Sequence, residues 1–578
     1  MLSQPALPEA ESPEPLDPAA VLQAAFDALT AGQGPLAAEL TGLLLAEHAI
    51  DPKVLYARAA ALMACGDIAS GKLVLEEACR IHSLHVMHEV GVDLQRMMAD
   101  GPYALAAARN LYKAFHMGPA IVALAAAVRD PQVTAEAMFV LAQALHYQGR
   151  VEQAYEAFKA NYALQGTPPM ASFMLYSLFF VEGSPRRQAE AAREWSRQWA
   201  DPLTPAQPDF GVLRRADRRL RIGYMGPSFS SNQARHFLVP MLDHHDPDQF
   251  EVFCYVEDAA KEIPRANVTF RSFKTVTDLM TAAMIRSDCI DVLVDFHGHC
   301  ASGRPRVFAF KPAPVQVSWL NYIHTTGMRT MDYVIHAESM ESETELFVED
   351  VYDIGPVLNA FRPDPAARPC PAAPPARTKG HVTFASFNHP AKVSDQTVAA
   401  WARVLQATPG SRLKLKYSCY VDPVLQAETA VRFLAHGIPQ WRLEFEGHTT
   451  GEAYERAFAE IDIGLDPSPC IGGTTTMEAL SRGVPVLTLR GSDFYARIGV
   501  QAPLALGLPG LIAESWDDYV AKAAALASDL DALEVLRAEI RPRLDASAYC
   551  DEAGFTRRME RAYREMFAAW LARQAVAA

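Results

Sequence analysis

The chain has 578 residues, half of them hydrophobic and 21% charged, the balance of a globular protein too long for one core. Its 53 basic and 68 acidic residues leave a formal charge of −15, which argues against a general nucleic-acid-binding role, because phosphate backbones need basic surfaces. The opening MLSQPALPEAESPEPLDP lacks the basic and apolar stretches of a secretory leader, and no run reaches the roughly 18 apolar residues of a membrane span. Nine cysteines lie scattered without CxxC pairs. The expectation is a cytoplasmic protein with reduced thiols, no membrane partner and no metal.

In chain order, residues 1–18 read as a disordered tail. Residues 19–199 are rich in Ala and Leu and periodic at helical spacing. In DPKVLYARAAALMACGDIASGKLVLEEACRI, Ala59 and Leu62 precede Gly66, and Leu75 and Ala78 follow it. In AMFVLAQALHYQGRVEQAYEAFKANYAL, Leu141 and Ala142 precede Gly149, and Ala154 and Phe158 follow it. That is the order of a tetratricopeptide helix–turn–helix, and stacked repeats form a concave surface that binds chains. The stretch between the two is helical but off-pattern. A Pro-rich polar segment, 200–216, reads as a linker across which the two parts are expected to fold separately.

Beyond it the period changes. Over 217–362 the strand-like runs are RRLRIGYMG, FEVFCYVED, DCIDVLVDFHGH, PAPVQVSWLNY and MDYVIHA. A second linker, 363–380, is rich in Pro and Ala. The pattern then restarts over 381–578 with HVTFASFN, RLKLKYS, RLEFEG, IDIGLD and VPVLTL. Apolar strands alternating with helices predict parallel sheets covered on both faces. Two such lobes predict a ligand beyond the carboxyl ends of their strands. Neither first strand is followed by GxGxxG, so no dinucleotide cofactor is expected.

The stretch IDIGLDPSPCIGGTTTMEALSRGVPVLTLRG reads as strand, loop, helix and strand. Gly472 and Gly473 permit close backbone approach, and Thr474 or Thr475 can cap the helix. Its N-terminus then offers free N–H groups to a phosphate. Glu478, one turn on, can accept both hydrogen bonds of a ribose diol, or can pair with Arg482 instead. The loop ASFNHPAKVSD lies at the same edge and carries Asn388, His389 and Lys392. The lysine can neutralise charge on a leaving phosphate without a metal ion. In the first lobe His236, His297, His299 and His324 each follow a predicted strand and are expected to line one cleft edge, where imidazole suits deprotonating a hydroxyl.

The stretches PAPVQVSWLNYIHTTGMRTMDYVI, FNHPAKVSD and GGTTTMEALSRGVPVLTLRGSDFYARIGV resemble the O-linked N-acetylglucosamine transferase family over roughly 218–570. The resemblance implies an α-helical tetratricopeptide-like repeat domain followed by a GT-B fold of two Rossmann-like lobes. It also implies an inverting enzyme that moves a sugar from a nucleotide donor to Ser or Thr of a protein, the donor being a co-substrate and no cofactor being needed. Lys392 falls on the lysine at the donor diphosphate, Thr474 and Thr475 on the phosphate-binding pair, and Glu478 on the acidic residue that holds the ribose. Tyr454 falls on a histidine that stacks on uracil. Catalysis is expected from His236, His299 and Lys392, and acceptor or sugar contacts from Asn232, His297, His324 and Thr325.

Three positions depart from the family pattern. Asn232 replaces the proposed basic histidine, Gly473 replaces the His of GHTT, and the GYPGTSG loop reads NYIHTTG. These departures, and the overall build, look like the flagellin glycosyltransferases of stalked alphaproteobacteria, which use a CMP-activated nonulosonic acid such as pseudaminic acid. The expected acceptor is therefore flagellin, with a UDP-N-acetylglucosamine-dependent transferase as the alternative. Two further alternatives are a scaffold with a degenerate GT-B module and a nucleotide-sugar epimerase. The retained Lys392, Thr475 and Glu478 speak against the scaffold, and the helical front end speaks against the epimerase.

Overall fold

Aspartates start the first helices. Asp17, Asp51 and Asp67 each accept a backbone N–H at the head of Pro18–Thr30, Pro52–Ala64 and Ile68–Glu89, which satisfies donors that a helix leaves unpaired. The computed structural model describes residues 17–577 except 49, 182–184, 209, 211–214, 231–233, 341–342 and 493. Most of the expected tail therefore lies outside the described residues.

The chain divides into two compact units, Met1–Val92 with Pro423–Trp441, and Asp93–Asp422 with Arg442–Ala578. In the first, Pro18–Thr30, Gly34–His48, Pro52–Ala64 and Ile68–Glu89 pack as antiparallel neighbours, with Gly66 at φ +87° in the turn between the last two. Ala59, Ala60, Leu75 and Ala78 form their core together with Val424, Val431 and Leu434 of the helix Pro423–Leu434. Small residues let these axes approach closely.

The second unit opens with further helices, among them Gly101–Lys113, Thr134–Tyr147, Val151–Gln165, Pro168–Ser177 and Pro185–Trp199. Gly149, at φ +81°, makes the turn that the repeat pattern requires. These helices are not a separate body. Phe179, Phe180 and Ala189 share a core with Leu220, Ile222 and Tyr224, and Ala192 and Trp195 pack with Met225 and Leu293. A Cβ on Gly327 would lie 2.2 Å from the Ala192 carbonyl oxygen. The segment 200–216 therefore joins parts of one core, and the division between units falls at Val92 instead. Proline and polar residues mark a solvent-facing connection; they carry no information about the apolar faces it connects.

Two parallel sheets follow. The first contains β1 (Leu220–Met225), β2 (Phe250–Val256), β3 (Val268–Ser272), β4 (Val292–Asp295), β5 (Val315–Ser318), β6 (Tyr333–His336) and β7 (Asp350–Asp353), in spatial order β3-β2-β1-β4-β5-β6-β7. The second contains β8 (Thr383–Ser386), β9 (Arg412–Lys416), β10 (Leu443–Glu446), β11 (Ile463–Leu465), β12 (Val486–Leu489) and β13 (Ile512–Ala513), in order β10-β9-β8-β11-β12-β13. Every strand expected from the pattern is present. The pattern missed β3, β7 and β13, which lie at sheet edges. An edge strand is covered on fewer sides and needs no long apolar run.

Strand order reverses between β1 and β4 and again between β8 and β11. Crevices for ligands open at such points. The last helix, Glu552–Ala577, follows the second sheet in sequence but completes the first lobe. The Tyr224 hydroxyl donates to the Tyr563 hydroxyl at 3.1 Å, and Trp319 stacks on Phe555. Among the described residues no helix is long and apolar enough to cross a membrane, and no cluster of three metal-ligating side chains occurs.

Candidate functional site

The second lobe brings two loops together where its strand order reverses. After β8, the Nδ1 of His389 accepts the Ala391 N–H at 3.0 Å and shapes the short turn Pro390–Lys392. That turn aims Lys392 across to the loop after β11, where its Nζ donates to the Ile471 carbonyl at 2.8 Å. The helix Thr474–Ser481 begins there.

Its start differs from the sequence expectation. Gly473 is the residue before the first turn and no side chain caps it, so neither Thr474 nor Thr475 acts as the cap. Both already lie within the first turn. Thr475 Oγ1 donates instead to Asn388 Oδ1 at 3.1 Å, which ties the two loops together. Gly472 is required here, because a Cβ would meet Thr476 Oγ1 at 2.3 Å and Asp466 Oδ1 at 2.5 Å. The uncapped helix end keeps its N–H groups available to an anion.

Glu478 also departs from the simple helix-pair reading. Arg482 binds Glu455 at 2.5 Å and reaches only the backbone carbonyl of Glu478. The Glu478 carboxylate accepts the Tyr454 hydroxyl at 2.8 Å and faces a cavity of about 1190 Å³ with Lys416 and Tyr417. A second cavity, about 370 Å³, is bounded by Asn388, His389, Lys392, Gly473, Thr474 and Thr475.

Asp466, at the end of β11, was not singled out by sequence reasoning. It is buried, accepts the Thr476 hydroxyl at 2.9 Å, and desolvation pushes its carboxyl up to about 7. The available signal was a carboxylate closing an otherwise apolar strand. Its burial against the Gly-Gly turn makes it a positioning residue for the loop.

The first-lobe histidines do not gather in either cavity. The Nδ1 of His236 donates to the Arg362 carbonyl at 2.9 Å, while its Nε2 accepts from Arg235 at 3.1 Å. His299 donates from Nε2 to the Thr326 carbonyl and accepts the Ser172 hydroxyl at Nδ1, both at 3.1 Å. His324 donates to the Pro185 carbonyl at 3.0 Å and accepts the Thr325 N–H. Both ring nitrogens of each of the three are thus engaged within the protein. Burial draws His299 down to about 4 and His324 to about 3, so both are neutral. Thr325 is also buried, donates to Glu349 at 2.6 Å and lines neither of the two cavities. His297 differs in being partly exposed, with Asn321 Nδ2 at 3.4 Å from its Nδ1 and burial holding it near 4. Asn232 lies outside the described residues.

The family model described as "Glycosyl transferase family 41" matches residues 207–351 and 377–559. Among curated proteins, the chain is 33% identical over 403 residues to a barley (Hordeum vulgare) protein named probable UDP-N-acetylglucosamine–peptide N-acetylglucosaminyltransferase SPINDLY, covering 67% of this chain and 42% of that one. It is 34% identical over 408 residues to the tomato (Solanum lycopersicum) protein of the same name, covering 67% and 43%. The chain thus spans less than half the length of these plant relatives. Among solved structures, a mutant O-GlcNAc transferase of Thermobaculum terrenum superposes with a TM-score of 0.73 at 26% identity, covering 97% of this chain and 100% of that one. The architecture is therefore a helical repeat region followed by a GT-B pair of Rossmann-like lobes.

Proposed function

The chain belongs to glycosyl transferase family 41, and from that premise we propose that it transfers a sugar, with inversion, from a nucleotide donor to a Ser or Thr hydroxyl of a protein. The carrying observation is the Lys392 ammonium beside the open end of Thr474–Ser481, both bounding one cavity. A cation and a helix N-terminus facing one point suit the charge that builds on a leaving phosphate. Glu478, one turn into that helix, and Tyr454, hydrogen-bonded to it from the helix Gly451–Ala459, suit a ribose and a base. His297, the first-lobe histidine left partly exposed, is a candidate acceptor or sugar contact.

Two donors fit this reading. The names of the plant relatives support UDP-N-acetylglucosamine. Gly473, which stands where the family has a histidine and whose Cβ position meets nothing within 4 Å, leaves room for a bulkier CMP-activated nonulosonic acid, the donor expected for a flagellin acceptor. Intact mass of flagellin co-expressed with this protein and a nonulosonic-acid supply separates the two. A gain of a nonulosonic acid supports the second donor and a gain of N-acetylhexosamine the first. Unmodified flagellin and unmodified nucleocytoplasmic proteins together would overturn the transferase reading.

A further inference from the structure

The two cavities share Phe387, Tyr417 and Thr475. A nucleotide sugar is a long molecule with its phosphate in the middle, so a phosphate-binding element common to two cavities divides the donor between them. On the reading above, the 1190 Å³ cavity with Tyr454 and Glu478 takes the nucleoside. The 370 Å³ cavity, across the shared Thr475, is then placed for the sugar.

The far wall of the smaller cavity comes from neither Rossmann lobe. Tyr112, His146, Tyr147, Tyr176 and Phe180 of the helical region form it, with Gln143 beside them. The rings brace one another edge to face: His146 to Phe180 at 4.5 Å, Tyr176 to Phe180 at 5.4 Å, and Tyr112 to Tyr147 at 5.8 Å between centroids. His146 also meets His389 of the donor loop at 5.0 Å. A Cβ on Gly149 would lie 3.0 Å from the Pro390 carbonyl oxygen, so the repeat turn and the donor loop are in direct contact. The Nδ1 of His146 is buried without a hydrogen-bond partner among the described residues. Aromatic faces fringed by phenol hydroxyls and an imidazole are the chemistry that covers the C–H face of a pyranose while binding its hydroxyls.

We propose that this repeat-walled cavity is the sugar subsite, so that the helical region selects which sugar is transferred. The inference rests on the donor-site reading above, and its test separates the two. The full chain and its Tyr176→Phe, His146→Ala and Gln143→Trp variants are titrated by calorimetry with UDP, UDP-N-acetylglucosamine, CMP and CMP-N-acetylneuraminic acid. The expected result is unchanged affinity for the bare nucleotide, with about a fivefold loss for the matching nucleotide sugar in Tyr176→Phe, the size of one hydrogen bond. Gln143→Trp, which fills the cavity, should erase the difference between nucleotide and nucleotide sugar. Thermal melts identify any variant that has merely unfolded, and Tyr176→Phe removes a single oxygen atom. If the folded variants bind nucleotide sugar as the parent does, the wall is not the subsite and the donor-site reading stands. If the parent binds none of the four probes, the donor-site reading falls and this inference falls with it.

Discussion

The two Rossmann lobes present similar strand-end loops and use them differently. In the first lobe the loops after β4 and β5 hold the helical region: His299 takes the Ser172 hydroxyl, His324 reaches the Pro185 carbonyl, and Gly327 lets the Ala192 backbone approach. In the second lobe the loops after β8 and β11 are tied to each other through Thr475 and Asn388, and both border a cavity. A polar residue after a buried strand is thus an ambiguous signal. It marks a ligand site only where no neighbouring segment has taken its hydrogen bonds.

The strongest way to break this comparison is to remove the helices. A chain beginning near residue 212 strips Phe179, Phe180, Ala192 and Trp195 from the first lobe's core and costs His299 and His324 one hydrogen-bond partner each. It should show no cooperative thermal transition and no near-UV circular dichroism; a melt at the parental temperature would contradict the shared core. Next in size is Lys392→Ala, which should lower kcat by about 10²–10³, the scale of one preorganised electrostatic group, while the melting temperature barely moves. Parental turnover in this variant would remove Lys392 from the donor site.

His299→Ala sharpens the contrast from the other side. It strands Ser172 and the Thr326 carbonyl and opens a hole beside Trp195, at a cost of about 2–4 kcal/mol in unfolding free energy. Turnover per folded molecule should stay within about twofold, and a kcat loss like that of Lys392→Ala would return His299 to the chemistry. The pH dependence of stability isolates Asp466, whose carboxyl burial pushes up to about 7 against 3.8 as the ordinary value. Because burial raises this pKa, the group favours folding fully below pH 4 and loses that contribution as the pH rises through 7. Asp466→Asn should therefore match the parent's melting temperature at pH 4 and exceed it increasingly toward pH 8. A difference independent of pH would show that Asp466 does not titrate in this range.

Much of the second lobe was legible in the sequence because its strand-end loops are local. The runs FNHPAK and GGTTT each place their residues on one short loop, and Lys392, Thr475 and Glu478 need only the strand before them to be positioned. The capping detail was lost because helix onset depends on where the Gly-Gly turn ends, and that is set by Asp466 and Thr476 packing beneath it. The first-lobe histidines misled for the opposite reason. Their partners, Ser172 and Pro185, lie more than a hundred residues away on helices that the Pro-rich segment seemed to set apart. Tyr112, His146 and Tyr176 carry no motif at all, and only the tertiary fold brings them opposite the loop after β8. Edge strands and the return of Glu552–Ala577 to the first sheet were hidden likewise, being matters of neighbourhood, not of pattern.

The helix Pro423–Leu434 has a consequence for how the chain comes off the ribosome. Four helices are made first, yet their core is completed by Val424, Val431 and Leu434. All of Asp93–Asp422 must be synthesised in between. At the usual rate of elongation that interval is on the order of tens of seconds. During it the nascent four-helix bundle lacks the apolar side chains that complete its core.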